Sequence, residues 1–495
     1  MPGNTLTAPG APDAVAPAAH PRRWLVLAVI AISQLMVVLD ATIVNIALPQ
    51  AQLSLGISDA DRQWVVTAYT LTFGGLLLLG GRIADYWGRK RTFLVGMVGF
   101  ALASAIGGLA TTGGLLFAAR ALQGAFGALL APASLALLTV LFTEAKERAK
   151  AFAVYGAIAG GGSAVGLVLG GVLTEYANWR WCLLVNIPIA AIALLAAIPL
   201  VPESRAHGDT RYDIPGAVVV TAGLVSLVYG FTKAAEDGWD AAATIGFIAA
   251  GLVLLAAFVL IELRSSHPLL PLRILLDRNR GGAYIASTLI GAGLFGAFLF
   301  LTFYFQVVLG YTPVEAGLAS LPVTAGVLVA AGVASQLLPR LGAKPLMVAG
   351  AVLAAAAMLS LTQIDVDTSF VSHLLPAQVI LGMGLGFTFV PLSSLALVGV
   401  PEHDAGAASA TLNATQQVGG SLGTALLNTM YTSAVTAYLV GRVPDPMTQV
   451  KALVHGYTVA FAWGAGLILL SGLATLLLIK VRKAHLATAN AVHMG

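Results

Sequence analysis

Residues 24–48 read WLVLAVIAISQLMVVLDATIVNIAL, a run of mostly apolar side chains that contains one carboxylate, Asp40. A helix rises about 1.5 Å per residue and a bilayer core is about 30 Å thick, so the run can cross a membrane, with Asp40 roughly 12 Å below its outer end. A charged Asp there costs about 2.5 to 3.5 kcal/mol unless it finds a partner, a cavity or a proton. The stretch predicts a transmembrane helix with a functional acid, and the alternative is a structural Asp bonded to neighbouring helices.

The composition of the whole chain is that of a membrane protein with many spans. Of its 495 residues, 58% are hydrophobic and 10% are charged, which is too apolar for a soluble protein of this length. The apolar residues come in runs of about 20 rather than in alternating ten-residue segments, which excludes an outer-membrane barrel. We therefore predict an all-α polytopic membrane protein.

Hydropathy divides the chain into fourteen predicted transmembrane helices. Of the 26 lysines and arginines, twenty fall on the side of the membrane that holds both termini, five on the other side, and one, Arg120, inside a helix. A missing helix would reverse every later loop and destroy this asymmetry. Because cytoplasmic loops carry the excess of Lys and Arg, we expect a multi-pass protein of the cell membrane with both termini cytoplasmic. The net charge of +4 is then an orientation signal, and we expect no nucleic-acid partner.

Two longer loops, at 202–213 and 264–280, separate the predicted helices into groups of six, two and six. The loops after the second and tenth helices share a faint pattern of glycine and basic residues, which suggests parallel repeats around a central pathway. The predicted segments are a disordered tail (1–23), a six-helix bundle (24–201), a linker with two extra helices (202–280), a second six-helix bundle (281–480) and a C-terminal tail (481–495).

The loop after the second helix reads GRIADYWGRKR at 81–91. Asp85 and Arg89 are four residues apart, a spacing that allows an ion pair on a helix, and Gly88 allows a sharp turn. A basic loop alone is often only an orientation anchor, but the full pattern resembles the G-x-x-x-D-x-x-G-R-K-R signature of the major facilitator superfamily. The resemblance implies a motif that latches the cytoplasmic face of the two halves, formed by Gly81, Asp85, Gly88, Arg89 and Lys90.

The fourth predicted helix carries the pattern R-x-x-Q-G-x-x-G, with Arg120 and Gln123 on one face. Arg120 lies about 9 Å below the outer surface, close to the depth of Asp40. The proton affinity of Asp40 should then depend on the distance to Arg120 and on the entry of water. The alternative is a permanent salt bridge. The pattern resembles the superfamily's motif in this helix, which implies a role for the arginine in proton transfer.

The fifth predicted helix carries glycines at four-residue steps, a stripe that lets another helix approach closely. Such stripes are common in helical bundles, but this one resembles the G-P-x-x-G-G antiporter motif of drug exporters. Leu167 stands at the proline position, so the packing face is kept without the kink that a proline would supply. The residues of the predicted motif are Gly162, Gly166, Gly170 and Gly171.

Two further stretches, LDATIVNIALP at 39–49 and WRWCLLVNIP at 179–188, resemble the fourteen-helix drug:proton antiporters. The resemblance covers essentially the whole chain and is densest in residues 24–200. It implies the major facilitator fold: two six-helix bundles plus two additional linker helices. It also implies proton coupling through Asp40 and Arg120.

Polar and aromatic residues elsewhere are candidates for contact with a substrate. Hydrogen bonding between helices is the common alternative for such amides. Five phenylalanines between 295 and 305 either face lipid or form an aromatic wall for an apolar ligand, and Glu315 is either interfacial or a second acidic site. The predicted substrate-binding residues are Gln34, Asn45, Gln123, Tyr304, Gln306, Asn413 and Gln416.

We predict a proton-coupled exporter of amphiphilic or aromatic compounds, such as antibiotics or dyes, that works by alternating access as a monomer. The alternatives are a dedicated exporter of one natural product, a proton-coupled symporter, and an intramembrane enzyme or channel. We find no catalytic constellation, no metal-ligand spacing and no phosphate-binding loop, so we expect neither an enzyme nor a metal or other cofactor.

Overall fold

The computed structural model describes residues 22–480, apart from 143, 206–212, 266–267, 269–274, 398–399, 401–404 and 443–444. Apart from Arg22 and Arg23, the two predicted tails lie outside the described residues. The first half comprises α1 (Arg23–Leu55), α2 (Trp64–Trp87), α3 (Arg89–Gly108), α4 (Gly113–Leu141), α5 (Ala145–Tyr176), α6 (Trp181–Leu184) and α7 (Asn186–Leu200). Two further helices follow, α8 (Ile214–Asp237) and α9 (Ala242–Arg264).

The second half repeats this arrangement. A π-helical turn (Tyr304–Val308) continues its first helix, and another (Phe370–Leu374) leads into its fourth crossing. The short α6 and a short helix at Pro313–Ala319 run into the helices that follow them, so the described elements make fourteen crossings, as predicted. The helices of the second half are α10 (Arg278–Phe303), α11 (Pro313–Ala319), α12 (Leu321–Leu341), α13 (Ala343–Leu361), α14 (Leu375–Leu397), α15 (Ala405–Leu439) and α16 (Pro446–Leu478).

Thirteen of the described crossings are long and apolar enough to span a membrane. The exception is α15, whose hydropathy is lowered by Asn413, Gln416, Gln417 and Asn428. Polar side chains are tolerated at membrane depth where they face a cavity or another helix. Helix α15 is therefore expected to face the interior of the protein, and it does.

Since the crossings alternate in direction, the start of α1 and the end of α16 share one face of the bundle, which we call the terminal face. The loops at Gly56 and Gly310 lie on the opposite face. On the terminal face, Gly88 (φ +125°) and Gly342 (φ +84°) form corresponding turns in the two halves, where a side chain would be strained. Lys90 and Lys344 bond backbone carbonyls near the ends of α7 (2.7 Å) and α16 (2.6 Å). These matched contacts support the predicted repeat.

Small residues bring the helices of each half together. Helix α1 packs on α5, α2 on α4, α10 on α15 and α16, and α14 on α12 and α13. A side chain at Gly80 would overlap the backbone of Ala128, and one at Gly124 would overlap that of Tyr69. Substituting these glycines would therefore push the helices apart.

Helix α8 contacts both halves rather than lying beside one of them. Gln63 at the start of α2 donates to the Thr232 hydroxyl (3.0 Å), and Thr429 of α15 donates to the Phe231 carbonyl (2.7 Å). The first extra helix therefore bridges the two halves near the opposite face.

Candidate functional site

The carboxylate of Asp40 lies at the centre of a buried hydrogen-bond network in the first half. Its side chain is 0% exposed. Arg120 Nη1 lies 2.6 Å from Oδ2, while Gln123 Nε2 (2.9 Å) and Asn186 Nδ2 (2.7 Å) both donate to Oδ1. Ser104 accepts hydrogen bonds from the same two amides, at 2.5 Å and 2.9 Å. Four helices, α1, α3, α4 and α7, thus contribute to one charged centre.

Arg120 is held by more than the acid. Its Nε donates to the Val65 carbonyl in the first turn of α2 (3.0 Å), and its Nη1 donates to Gln123 Oε1 (2.8 Å). The ring of Tyr69 lies 4.4 Å from the guanidinium carbon, a distance suited to a cation–π interaction. The guanidinium therefore connects α1, α2 and α4, and any change in the charge of Asp40 acts on all three.

The network explains how two charges can be buried. Desolvating an isolated carboxylate and guanidinium costs several kcal/mol per ion, and only good geometry with additional hydrogen bonds offsets this cost. Asp40 accepts three hydrogen bonds and Arg120 donates to three acceptors. These hydrogen bonds can offset the cost of burying both charges.

Sequence reasoning missed two members of the network. Asn186 lies within WRWCLLVNIP, a stretch whose resemblance to the drug:proton antiporters could have singled it out, whereas nothing in the local sequence distinguishes Ser104. Asn186 Oδ1 is buried, and within the described part of the chain it has no hydrogen-bond partner. The centre therefore holds a spare acceptor beside the acid.

A cavity of about 950 Å³ lies next to this network, between the two halves. Tyr69 and Ala41 line it, whereas Asp40 does not, so the Tyr69 ring lies between the cavity and the Arg120 guanidinium. The remaining lining is mostly apolar side chains, aromatic rings and neutral amides. Three predicted substrate-binding residues are among the lining residues: Gln34, Asn413 and Gln416.

The structure places the other four predicted substrate-binding residues away from this lining. Gln123 is taken up by the Asp40 network. Asn45 donates to the Ala41 carbonyl in its own helix (3.4 Å). Tyr304 bonds a loop carbonyl, and Gln306 donates to the Ile46 carbonyl of the other half (2.9 Å). Hydrogen bonds to other protein groups thus account for all four.

The cavity reaches the terminal face, where Arg82, Asp85 and Thr139 line its mouth. Asp85 accepts a hydrogen bond from Arg89 at 2.9 Å and is 39% exposed. The lysine of the motif, Lys90, also bonds Glu203 through its backbone NH (3.2 Å). Within the described residues, the hydrogen bonds and ion pairs of this motif involve the first half and the segment that follows α7, and none reaches the second half. Among the residues that the structure describes, the motif thus makes no contact that would latch the two halves at this end, and Gly81 lines the mouth of the cavity.

The opposite face is closed by contacts between the halves. Glu175, near the end of α5, accepts a hydrogen bond from the Val314 backbone NH of α11 (3.0 Å). Further inward, Thr70 and Ser421 hydroxyls lie 2.6 Å apart. The cavity is thus open to one side of the membrane and closed to the other.

The glycine stripe of α5 packs against α1, as its spacing predicts. Gly162 lies against Leu35 and Val38, Gly166 against Thr42, and Gly170 against Ile43. The neighbouring Gly171 meets the backbone of α11, and the Leu167 carbonyl lies against Gly317 of the same helix. Helix α5 therefore touches the acid-bearing helix on one face and the second half on another.

The aromatic and acidic candidates near the start of the second half divide between two environments. Phe295 lines the cavity, whereas Phe300, Phe303 and Phe305 are buried near the closed face. Glu315 forms a capping box with Thr312, accepting from its backbone NH at 2.9 Å. Glu315 therefore has a structural task at a helix start, outside the membrane centre.

Comparisons with known proteins agree with this architecture. The family described as Major Facilitator Superfamily matches residues 30–424. The puromycin resistance protein of Streptomyces alboniger is 51% identical over 465 residues, covering 93% of this chain and 92% of the relative. The cephamycin export protein of Amycolatopsis lactamdurans is 41% identical over 399 residues, covering 80% and 82%. A solved bacterial homologue of the human lysosomal transporter Spinster has the same fold, at a TM-score of 0.67 with 13% identity over 94% of this chain and 98% of that one.

Proposed function

The chain belongs to the Major Facilitator Superfamily, and on that basis we propose that it is a proton-coupled exporter of amphiphilic or aromatic compounds. The observation that carries the proposal is the buried Asp40–Arg120 pair beside a cavity open to one side. The protein is a multi-pass membrane transporter and not an enzyme.

The orientation of the protein follows from its charges. Basic residues are concentrated in the segments of the terminal face, which we assign to the cytoplasm by the positive-inside rule. The cavity then opens inward, where an exporter collects its substrate. We assign the protein to the cell membrane, with both termini cytoplasmic, and expect a monomer.

Asp40 exchanges the proton in this proposal. The ionised carboxylate is matched by three donors, as the structure has it. A protonated carboxyl needs an acceptor, and rotation of the Asn186 amide would present its unpaired Oδ1. Both charge states of the acid can thus be satisfied by the same residues. Loss of the carboxylate charge would weaken the hold on Arg120, and through it on α2 and α4.

The membrane supplies the driving force. A potential of 100 mV is worth about 2.3 kcal/mol per charge, so one proton moving inward per cycle can drive substantial export of a neutral compound. The cavity suits such cargo because amides offer hydrogen bonds while Phe73 and Phe295 offer aromatic faces. Relatives named for puromycin and cephamycin support antibiotics as candidate substrates.

A dedicated exporter of one natural product is the second candidate, since a neutral amide lining serves a selective site as well as a broad one.

The test is drug resistance in cells that lack their own pumps, with wild type beside Asp40→Asn. Resistance to puromycin that disappears with an uncoupler supports the proposal. Survival limited to one compound of a broad panel would favour the dedicated exporter, and resistance that is insensitive to the uncoupler would refute proton coupling.

A further inference from the structure

One aromatic ring of α2 lies between the cavity and the charged network. Tyr69 lines the cavity, and the centre of its ring is 4.4 Å from the guanidinium carbon of Arg120. Asp40 is 0% exposed and Arg120 is 1% exposed, and neither residue lines the cavity. A drug in the cavity can therefore contact the Tyr69 ring without contacting either charge.

Neighbouring residues hold this ring in one position. The ring of Phe73, one turn further along α2, stacks on it with ring centres 5.8 Å apart, and the ring of Phe100 from α3 lies perpendicular to it at 6.5 Å. Gly124 of α4 packs so closely on the Tyr69 backbone that an added side chain would overlap the Tyr69 carbonyl. Since the protein fixes the ring on these sides, its surroundings can change mainly on the side of the cavity.

Filling the cavity should strengthen the contact between the Tyr69 ring and Arg120. A cation–π contact is weak where water competes with it and stronger where water is excluded. A drug that covers the ring replaces water there, whereas Asp40 is already fully buried and loses no further hydration. The drug should therefore hold the guanidinium more firmly beside the carboxylate, and a nearby positive charge favours the ionised form of an acid.

Few other groups around Asp40 carry a charge or can exchange a proton. Helices α3 and α7 contribute the uncharged Ser104 and Asn186 to the network, and neither α10 nor α11 contributes a charged or titratable side chain to it in the described part of the chain. The groups that face the acid are Arg120 on α4, Tyr69 on α2 and the Cys182 thiol on α6, while Tyr155 of α5 bonds Gln34 further along α1. Asp40 is the carboxylic acid among them, so we assign proton exchange linked to the drug to this residue.

We propose that Tyr69 is the positioning residue through which drug and proton compete, although they bind at separate places. A drug that packs on Tyr69 from the cytoplasmic side favours release of the proton from Asp40. By linkage, protonation of Asp40 from outside weakens drug binding by the same factor, which favours release of the drug there. The proton then moves inward and the drug outward, as the proposed function requires, and the inference rests on that function.

The test is the pH dependence of drug binding, which a purely structural role of the ring would leave unchanged. Binding of tritiated puromycin to purified protein in detergent is measured between about pH 5 and about pH 8. We expect the gain in affinity from the acidic to the alkaline end to be about tenfold larger in wild type than in Asp40→Asn. Any titration of puromycin itself is common to all variants, so this comparison isolates the contribution of the acid.

Variants of the two stacked rings separate coupling from packing. Tyr69→Met, which fills the space without a π face, should bind puromycin but lose most of the pH dependence, and Tyr69→Leu is a second variant of this kind. Tyr69→Phe keeps the ring and should keep the pH dependence. Phe73→Leu is the matched control, because Phe73 lines the same cavity whereas, among the described residues, Tyr69 forms the cation–π contact with Arg120. This control should weaken binding by the same factor at every pH.

A pH dependence equal to that of wild type in both Tyr69→Met and Tyr69→Leu would overturn the assignment, and so would an equal loss of pH dependence in Phe73→Leu. Because binding is measured without a gradient, the assignment can fail while puromycin resistance that depends on the proton gradient still supports the proposed function. Conversely, resistance that is insensitive to the uncoupler would refute proton-driven export even if binding stays linked to pH through Tyr69.

Discussion

Arg120 Nη1 lies 2.6 Å from Asp40 Oδ2, with both side chains almost completely buried. Removing one member leaves an uncompensated charge, which costs about 3 to 5 kcal/mol of stability. We expect Arg120→Leu to lower the yield and melting temperature sharply, and Asp40→Asn/Arg120→Leu to recover much of the stability while remaining unable to transport. Thermal unfolding in detergent checks this, and a double variant no more stable than Arg120→Leu would contradict it.

Asn186 is expected to support proton exchange at Asp40, since its amide can serve either charge state. In Asn186→Leu the carboxylate loses a donor and the protonated form loses its acceptor, so transport should fall and its pH optimum should move. Asn186→Ser, which keeps a polar group, should move the optimum less. The measurement is the pH dependence of puromycin efflux from everted vesicles. A uniform loss of rate with an unchanged pH profile would indicate a purely structural amide.

Two glycines of α5, one in the glycine stripe and one beside it, allow a controlled comparison. At Gly166 an added side chain would overlap Thr42 of α1, whereas at Gly161 it would meet no atom within 4 Å. We expect Gly166→Val to destabilise the protein by about 1 to 3 kcal/mol, typical of overpacking, and Gly161→Val to have little effect. Melting temperatures of the two variants provide the comparison. Equal melting temperatures would contradict the prediction, because they would show that α1 and α5 can move apart without a loss of stability.

An ion pair on the terminal face predicts a pH effect on stability. Arg23 donates to Glu147 at 2.7 and 2.8 Å, and this contact lowers the pKa of the Glu147 carboxyl. Because the pKa of Glu147 is lower in the folded than in the unfolded protein, the ion pair adds stability at pH values above the unfolded-state pKa, about 4.3. This stability is lost as the pH falls through the folded-state pKa. The stability difference between wild type and Glu147→Gln should therefore shrink below about pH 4. A difference that stays constant down to pH 3 would exclude the ion pair as its source.

The sequence was sufficient for the features that follow from hydropathy and spacing. The run around Asp40 predicts the first crossing, and the common depth of Asp40 and Arg120 correctly predicts that they meet. Only part of the substrate site could be anticipated, because helix orientation decides whether an amide faces a cavity or a neighbouring carbonyl. Gln34 faces the cavity, while Gln306 bonds the Ile46 carbonyl.

Residues from distant parts of the chain were harder to predict. Arg62 reads as an ordinary loop cation, and nothing local indicates that three rings of the second half enclose it. No local sequence pattern points to Ser104, which belongs to the network only because Gln123 and Asn186 donate hydrogen bonds to its hydroxyl. Tertiary packing, rather than local pattern, determines these contacts.

Proton exchange at Asp40 is the central claim, and proteoliposomes of one orientation test it most directly. With an imposed pH gradient and tritiated puromycin, wild type should accumulate the drug against its concentration gradient. Asp40→Asn should only equilibrate the drug while still exchanging labelled for unlabelled drug. Accumulation by Asp40→Asn that depends on the pH gradient as in wild type would contradict the account.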